Sequence, residues 1–280
     1  MSKPYYNFFL HSFGLPLLLL MGIGPLVAWR RASLRSLGRT FLWPLGVAIA
    51  TGAALLAFGA GSSRVGLIAY TFSAFVLASI VLEFARGTRA RKALGAGGWT
   101  SAFASLVARN RRRYGGYVVH AAVVFLAIGV AGSSVYQTVR EHRLHRGDAM
   151  TVAGNRLVFR GFEQRRASNH REVRAVVDVY RGDRRIATMR PGKNDYFAEA
   201  QVSNEVAIRH DLASAGDLFL SVEQIDSGGS VVLKAFDKPL VNLIWLAGFV
   251  FVAGSLIALW PDAREERRLA ARYAGALAEA

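Results

Sequence analysis

His120 has the strongest claim to chemistry, because its imidazole falls inside an apolar stretch, Arg109 to Tyr136, that is introduced by a cationic run. Arg111, Arg112 and Arg113 mark the interfacial end of that stretch. Seven residues later, at 1.5 Å per residue, the histidine lies roughly 10 Å into a membrane. An ionisable side chain at that depth is read by default as functional, and a neutral imidazole nitrogen is a common ligand for haem iron. On a helix, Gly116, His120, Val123, Ala127, Ala131 and Ser134 share one face, whose small residues let a second helix or a flat ligand come close to the backbone. An interhelical hydrogen bond is the alternative use of the same imidazole.

The remaining histidines read differently. His11 lies in the outer half of an earlier apolar span, where a hydrogen bond within the bundle competes with a ligand role. His142 and His145 follow the His120 stretch at i, i+3 and would share a face if its helix continued. Two such ligands are too few for a metal site, and solvated side chains are expected there. His170 and His210 sit in polar strings and are expected to be exposed. The chain has no cysteine, so thiol exchange and thiolate ligation are excluded from its own chemistry. No Ser-His-Asp order, phosphate-binding loop or dinucleotide fingerprint is present.

The elements that must hold His120 are apolar spans. Hydrophobic side chains make up 52% of the 280 residues, too many and too segmented for an ordinary soluble domain. The sequence predicts five spans: Phe8 to Trp29, bent at Pro16 and near Gly22 to Pro25, then Phe41 to Ala60, Val65 to Ala85, the His120 stretch, and Leu240 to Trp260. The first is read as its own insertion signal, since MSKPYYNFF lacks the charge pattern of a removable signal peptide. Four Lys or Arg residues follow the first span, eight and no acid fill Arg86 to Arg113, and four follow the last. The positive-inside rule therefore puts these segments in the cytoplasm and the N-terminus outside. The net charge of +16 does not signal nucleic acid, because the basic residues flank apolar spans and lack interleaved aromatics. Within the heaviest cationic loop, Trp99, Phe103, Leu106 and Val107 recur at helical spacing, which predicts an amphipathic helix lying on the surface or packed under the bundle. Glu83 is read as structural, reaching the interface beside Arg86.

Between the last two spans, Thr138 to Phe236 has only short apolar runs, such as MTVAGNRLVFRGF, LFLSVEQI and SVVLKAF, which read as strands. Arg181-Gly182-Asp183 predicts a hairpin turn between Val176–Tyr180 and Ile186–Met189. A β-rich domain outside the membrane is expected. Its sixteen basic residues are compatible with that side, because long domains translocate largely regardless of charge. The expected architecture is an integral membrane α-helical bundle with an inserted β-rich extracytoplasmic domain. Its divisions are residues 1–137, 138–236 and 237–280.

Taken together, these residues resemble the C-terminal part of CcmF, the haem lyase subunit of the cytochrome c maturation system. The resemblance begins at Tyr6-Asn7 and LLLLMGIGPLVAW (Leu17 to Trp29) and is most specific in RRRYGGYVVHAAVVFLAIGVAGS (Arg111 to Ser133). It continues through Arg146-Gly147-Asp148, Glu205-Val206-Ala207-Ile208 and Asp217-Leu218 to KPLVNLIWLAGFVFVAGSLIALWPD (Lys238 to Asp262). It implies that His120 is an axial ligand to the iron of a b-type haem held between transmembrane helices, and that the complex joins apocytochrome CXXCH thiols to haem vinyl groups. It further implies a bacterial cytoplasmic membrane location, with a haem chaperone and apocytochrome c as partners. The family's tryptophan-rich WWD segment and the second ligand lie in an N-terminal part that this chain does not contain. The expectation is therefore a split lyase, with a separate N-terminal CcmF-like subunit and no activity in this chain alone. A non-catalytic scaffold that recruits apocytochrome or assembly factors through its β domain is the alternative. A transport subunit is disfavoured, because no paired acids or inverted repeat lie at mid-membrane.

Overall fold

A computed structural model describes residues 3–27, 34–59, 61, 63–198, 202–211, 215–261 and 271. The chain divides into two compact units: residues 1–127 with 246–280, and residues 128–245. Among the described residues, five helical stretches are long and apolar enough to cross a membrane: Pro4–Leu26, Gly38–Ala57, Arg64–Ala93, Arg111–Val135 and Asn242–Leu259. The fold is thus that of a multi-pass membrane protein carrying a β domain.

In the first unit, α1 (Lys3–Phe9) passes through a single π-helical stretch, Leu10–Gly14, into α2 (Leu15–Leu26). The widening has a local cause. Pro16 has no N–H to offer the Ser12 carbonyl and its ring crowds that turn, so the helix loosens just before it and the Leu15 N–H reaches back to the Leu10 carbonyl. Pro25 is accommodated in the last turn, and Val27 is already extended; Ala28 and Trp29, the predicted end of this span, lie outside the described residues. The close approach of α2 to its neighbour depends on Gly22, where a Cβ would come within 2.7 Å of the Phe75 ring.

Helix α3 (Leu34–Ala57) returns, and α4 (Arg64–Ala93) starts on a Ser63 cap whose hydroxyl accepts from the Gly66 N–H at 3.2 Å. This helix runs eight residues past its predicted end at Ala85. Charge ends the hydropathy signal there, but Arg, Lys and Ala are strong helix formers, and cations are favourable at a helix C-terminus. The helix stops only before Gly95, at φ +80. The amphipathic helix α5 (Trp99–Arg109) buries Ala102 and Leu106, with Leu106 against Gly87 of α4, and leaves Trp99 and Phe103 exposed. Phe103 nonetheless stacks on Phe84 at 5.6 Å, so α5 packs against α4 through one edge only. Asn110, in a non-helical conformation, separates α5 from α6 (Arg111–Val135), and α7 (Asn242–Leu259) is the last span.

The second unit is a two-sheet sandwich. Its ten strands are β1 (Thr138–Leu144), β2 (Ala149–Val152), β3 (Asn155–Arg166), β4 (His170–Arg181), β5 (Arg184–Met189), β6 (Gly192–Tyr196), β7 (Val202–Glu205), β8 (Ala207–Asp211), β9 (Gly216–Ile225) and β10 (Val231–Lys238). One sheet has the order β1-β10-β9-β8 and the other β2-β3-β4-β6-β7, with β5 paired to β4. Alternate residues fill the space between them: Leu157, Phe159, Val177 and Val179 from one sheet meet Leu220, Val222, Leu233 and Ala235 from the other. The β4–β5 hairpin turns at Gly182, φ +60, as its Arg-Gly-Asp sequence predicts.

On the opposite face of β4 from Val177 and Val179, Asp178 is 5% exposed. A bulge between Phe159 and Gly161 aims Arg160 at it, with Nε 2.9 Å from Oδ2, and the Thr188 hydroxyl donates to Oδ1 at 2.7 Å. Burial pushes this carboxyl up. The hydrogen bonds from Thr188 and Arg160, with the charge of Arg185, outweigh that and hold it below the ordinary carboxylate value. The ionised form is therefore favoured by folding, and its contribution is complete above the unfolded pKa and lost as pH falls through the lower folded one. We expect Asp178→Asn to destabilise the β domain at neutral pH by about 1–3 kcal/mol. Thermal melts followed by β-sheet circular dichroism should show the gap to wild type closing below about pH 4.

Candidate functional site

The N-terminal half of α6 has three faces, and the residues on each decide what it meets. Tyr114 and Tyr117 are buried against α4, with the Tyr114 ring 4.9 Å from Phe84. Gly115 and the backbone at Val119 lie against α7: a Cβ on Gly115 would fall 2.6 Å from the Ala258 nitrogen, and one on Gly254 would fall 2.8 Å from the Val119 nitrogen. Helices this close depend on glycine. Gly116 and His120 occupy the third face, roughly 100° around the helix from both contacts. A Cβ on Gly116 would meet nothing within 4 Å.

The cationic run and a carboxylate anchor this half of the helix. Arg113 Nη2 lies 2.6 Å from Glu83 Oε2, and its Nε donates to the Tyr117 hydroxyl at 2.9 Å. Arg86 approaches the same carboxylate at 3.9 Å. Glu83 is structural, as its sequence suggests, but its principal partner is Arg113, thirty residues further on. The pair ties α4 to α6 where charge can still reach the interface, and so sets the depth of everything C-terminal to it.

Two turns beyond this anchor, His120 is half-buried. Its Nδ1 is fully buried and has no hydrogen-bond partner among the described residues. A neutral imidazole carries one N–H and one lone pair, and a buried group left unmatched costs about 1–3 kcal/mol. The predicted interhelical hydrogen bond is thus not formed among the described residues. The open Gly116 face and the unanswered nitrogen together suit a flat ligand held by the ring, or a helix from elsewhere that supplies the missing partner.

The other histidines do not converge on it. His11 is exposed within the π-helical stretch and makes no hydrogen bond with the described residues, contrary to the bundle bond expected for it. Gly22 abuts Phe75 and Tyr114 abuts Phe84. In spans that alternate in direction, this puts His11 level with the start of α4 and His120 level with about Ala78, roughly 20 Å apart along the helix axes. His142 and His145 do not share a helical face, because α6 ends at Val135 and His142 lies in β1. Both are exposed, and the His145 backbone N–H donates to Asp148. His170 departs from expectation: it is half-buried on Tyr196, with Nε2 3.1 Å from Glu172. His210 is exposed as expected and bonds Asp217. Among the described residues no group of three or more His, Cys, Asp or Glu could hold a metal ion.

Residues 135–239 match the family described as CcmF C-terminal beta-sandwich. The chain is similar to the cytochrome c-type biogenesis protein CycK of Bradyrhizobium diazoefficiens, at 26% identity over 92% of this chain and 38% of that protein. It is likewise similar to CcmF of Pseudomonas aeruginosa, at 27% identity over 92% and 37% of the two chains. Among solved structures, one titled Cytochrome c Heme Lyase CcmF superposes with a TM-score of 0.73 at 27% identity, over 93% of this chain and 41% of the other. The chain therefore spans about two fifths of the length of these relatives.

The three-faced packing of α6 makes a direct prediction. Gly115→Ala and Gly254→Ala should each lower the thermal stability of the detergent-solubilised chain, by about 1–3 kcal/mol. Gly116→Ala should leave it unchanged or raise it by up to about 1 kcal/mol through helix propensity. A Gly116→Ala loss equal to that of Gly254→Ala would mean that the His120 face is already occupied.

Proposed function

We propose that this chain corresponds to the C-terminal part of CcmF and is the C-terminal subunit of a split cytochrome c haem lyase that uses His120 to help hold a b-type haem. The observation that carries the reading is the buried, unpartnered Nδ1 of His120 on a helix face that Gly116 leaves open. An imidazole so placed fits axial ligation of haem iron, and the small-residue face admits a planar macrocycle. When bound, this haem supplies an iron centre able to pass an electron to the substrate haem.

The chain's own residues do the positioning. Glu83, Arg113 and Tyr117 fix the depth of α6, Gly115 and Gly254 lock it to α7, and the third face is kept for the cofactor and for a helix of another subunit. That subunit is the N-terminal CcmF-like partner with the tryptophan-rich WWD segment, which provides the second ligand and the platform for substrate haem. The lyase then joins two apocytochrome CXXCH thiols to the two haem vinyl groups, each S–H adding across a C=C so that sulfur and hydrogen both end on carbon. The thiols belong to the apocytochrome, since this chain has no cysteine. In this reading the β domain, residues 138–236, lies outside a bacterial cytoplasmic membrane, between the four spans of 1–137 and the last span with its tail, 237–280. There it faces the haem chaperone and apocytochrome.

His120→Ala, co-expressed with the partner, should insert and assemble normally. It should remove the b-haem absorption of the purified complex and impair cytochrome c maturation. A six-coordinate haem spectrum retained in that variant would assign His120 to packing and favour a scaffold role for the chain.

A further inference from the structure

The end of the bundle at which α6 begins and α7 finishes carries a second feature, separate from the His120 face. A cavity of about 420 Å³, open on one side, is lined by the Arg109–Arg113 segment and by Ala258–Pro261. Four arginines line it, and no acidic residue does so among the described residues. Arg113 is committed to Glu83. Arg111 is held in place by donating from Nη1 to the Pro261 carbonyl at 2.9 Å, which leaves the rest of its guanidinium fork unused by that bond. Arg109 makes no hydrogen bond or ion pair with the described residues. The sequence that follows, Asp262 to Arg272, holds three acids and four arginines, so it brings no net negative charge to the site.

A cluster of this kind calls for an anion, and planar guanidinium forks match the oxygens of a phosphate. The surroundings decide which phosphate. The cavity lies where two candidate membrane spans stop, at Arg111 and at Leu259, with Trp260 largely exposed at its rim as in an interfacial aromatic belt. Leading away from it along α7, Leu259, Leu256, Val252 and Phe249 recur at helical spacing and are 80%, 59%, 57% and 75% exposed. This is one continuous apolar stripe that ends at a cationic pocket. A free phosphate ion would use the pocket and leave the stripe bare, whereas an amphiphile uses both.

We propose that the cavity between Arg109–Arg113 and Ala258–Pro261 binds the phosphate of an anionic phospholipid, whose acyl chain lies along the Phe249–Leu259 stripe of α7. Cationic pockets between span ends are a recurrent means of holding such headgroups. The site clamps together the ends of the two helices that meet at Gly115 and Gly254, so a bound lipid would brace α6, on which His120 sits.

Native mass spectrometry of the full chain, extracted with its membrane lipids, tests this directly. Wild type should retain one anionic phospholipid in preference to phosphatidylcholine supplied at equal amount. Arg109→Gln, which breaks no hydrogen bond made by the described residues, should lower retention roughly fivefold. Combined with Arg111→Gln, the loss should be about 25-fold. Arg89→Gln, in the same cationic region but lining a different groove, should retain lipid as wild type does. A wash in roughly 0.1 M inorganic phosphate should leave the lipid bound. The proposal fails if the double variant keeps its lipid, if Arg89→Gln loses it equally, or if phosphatidylcholine is retained as well. Displacement by inorganic phosphate would also overturn it, in favour of a simple ion site.

Discussion

An imidazole buried in an apolar span must have both ring nitrogens answered, because in a low-dielectric setting an unmatched polar atom has no water to fall back on. Among the described residues His120 does not meet that requirement: its Nδ1 is buried with no partner, and the helix face around it is bare at Gly116. Everything else about α6 is arranged so that this face stays open. Two tyrosines fill the side toward α4, two glycines close the side toward α7, and an ion pair with Glu83 holds the helix at one depth.

Depth control has an electrostatic basis. Arg113 and Glu83 pair across two neighbouring spans, with the carboxylate largely buried and the guanidinium still exposed toward the interface, so α4 and α6 are tied together where the charge need not be taken fully out of water. The Tyr117 hydroxyl accepts from the same guanidinium, which sets the rotamer of an arginine that would otherwise snorkel to the headgroups. His120 follows Tyr117 by one turn on the next face. A change at Glu83 would thus reach the histidine through helix position and not through contact.

The spans, the helix that carries Gly116 and His120 on one face, and the β-rich insertion were legible in the sequence because each rests on a signal local to its segment: hydropathy, helical spacing, and short apolar runs between turns. What was not legible depended on partners remote in sequence or on the exact end of an element. The π-helical stretch reflects one missing N–H at Pro16, and the extension of α4 reflects residues whose charge ends a hydropathy window but not a helix. His142 and His145 could share a face only if α6 continued, and the chain instead turns to strand at Thr138. His170 reads as polar surface until β6 brings Tyr196 against it, and Glu83 reads as a partner for Arg86 until α6 brings Arg113. In the β domain the pairing of Asp178 with Arg160 needs a bulge that no local pattern announces.

The central claim is that the His120 site is completed from outside this chain, and haem content tests it most directly. The chain should be purified alone and also with a CcmF-like N-terminal partner, and the pyridine haemochrome and visible spectra of both preparations compared. The account predicts little haem in the chain alone and a stable low-spin b-type haem, close to one per complex, when the partner is present. Stoichiometric, stably ligated haem in the chain by itself would contradict it.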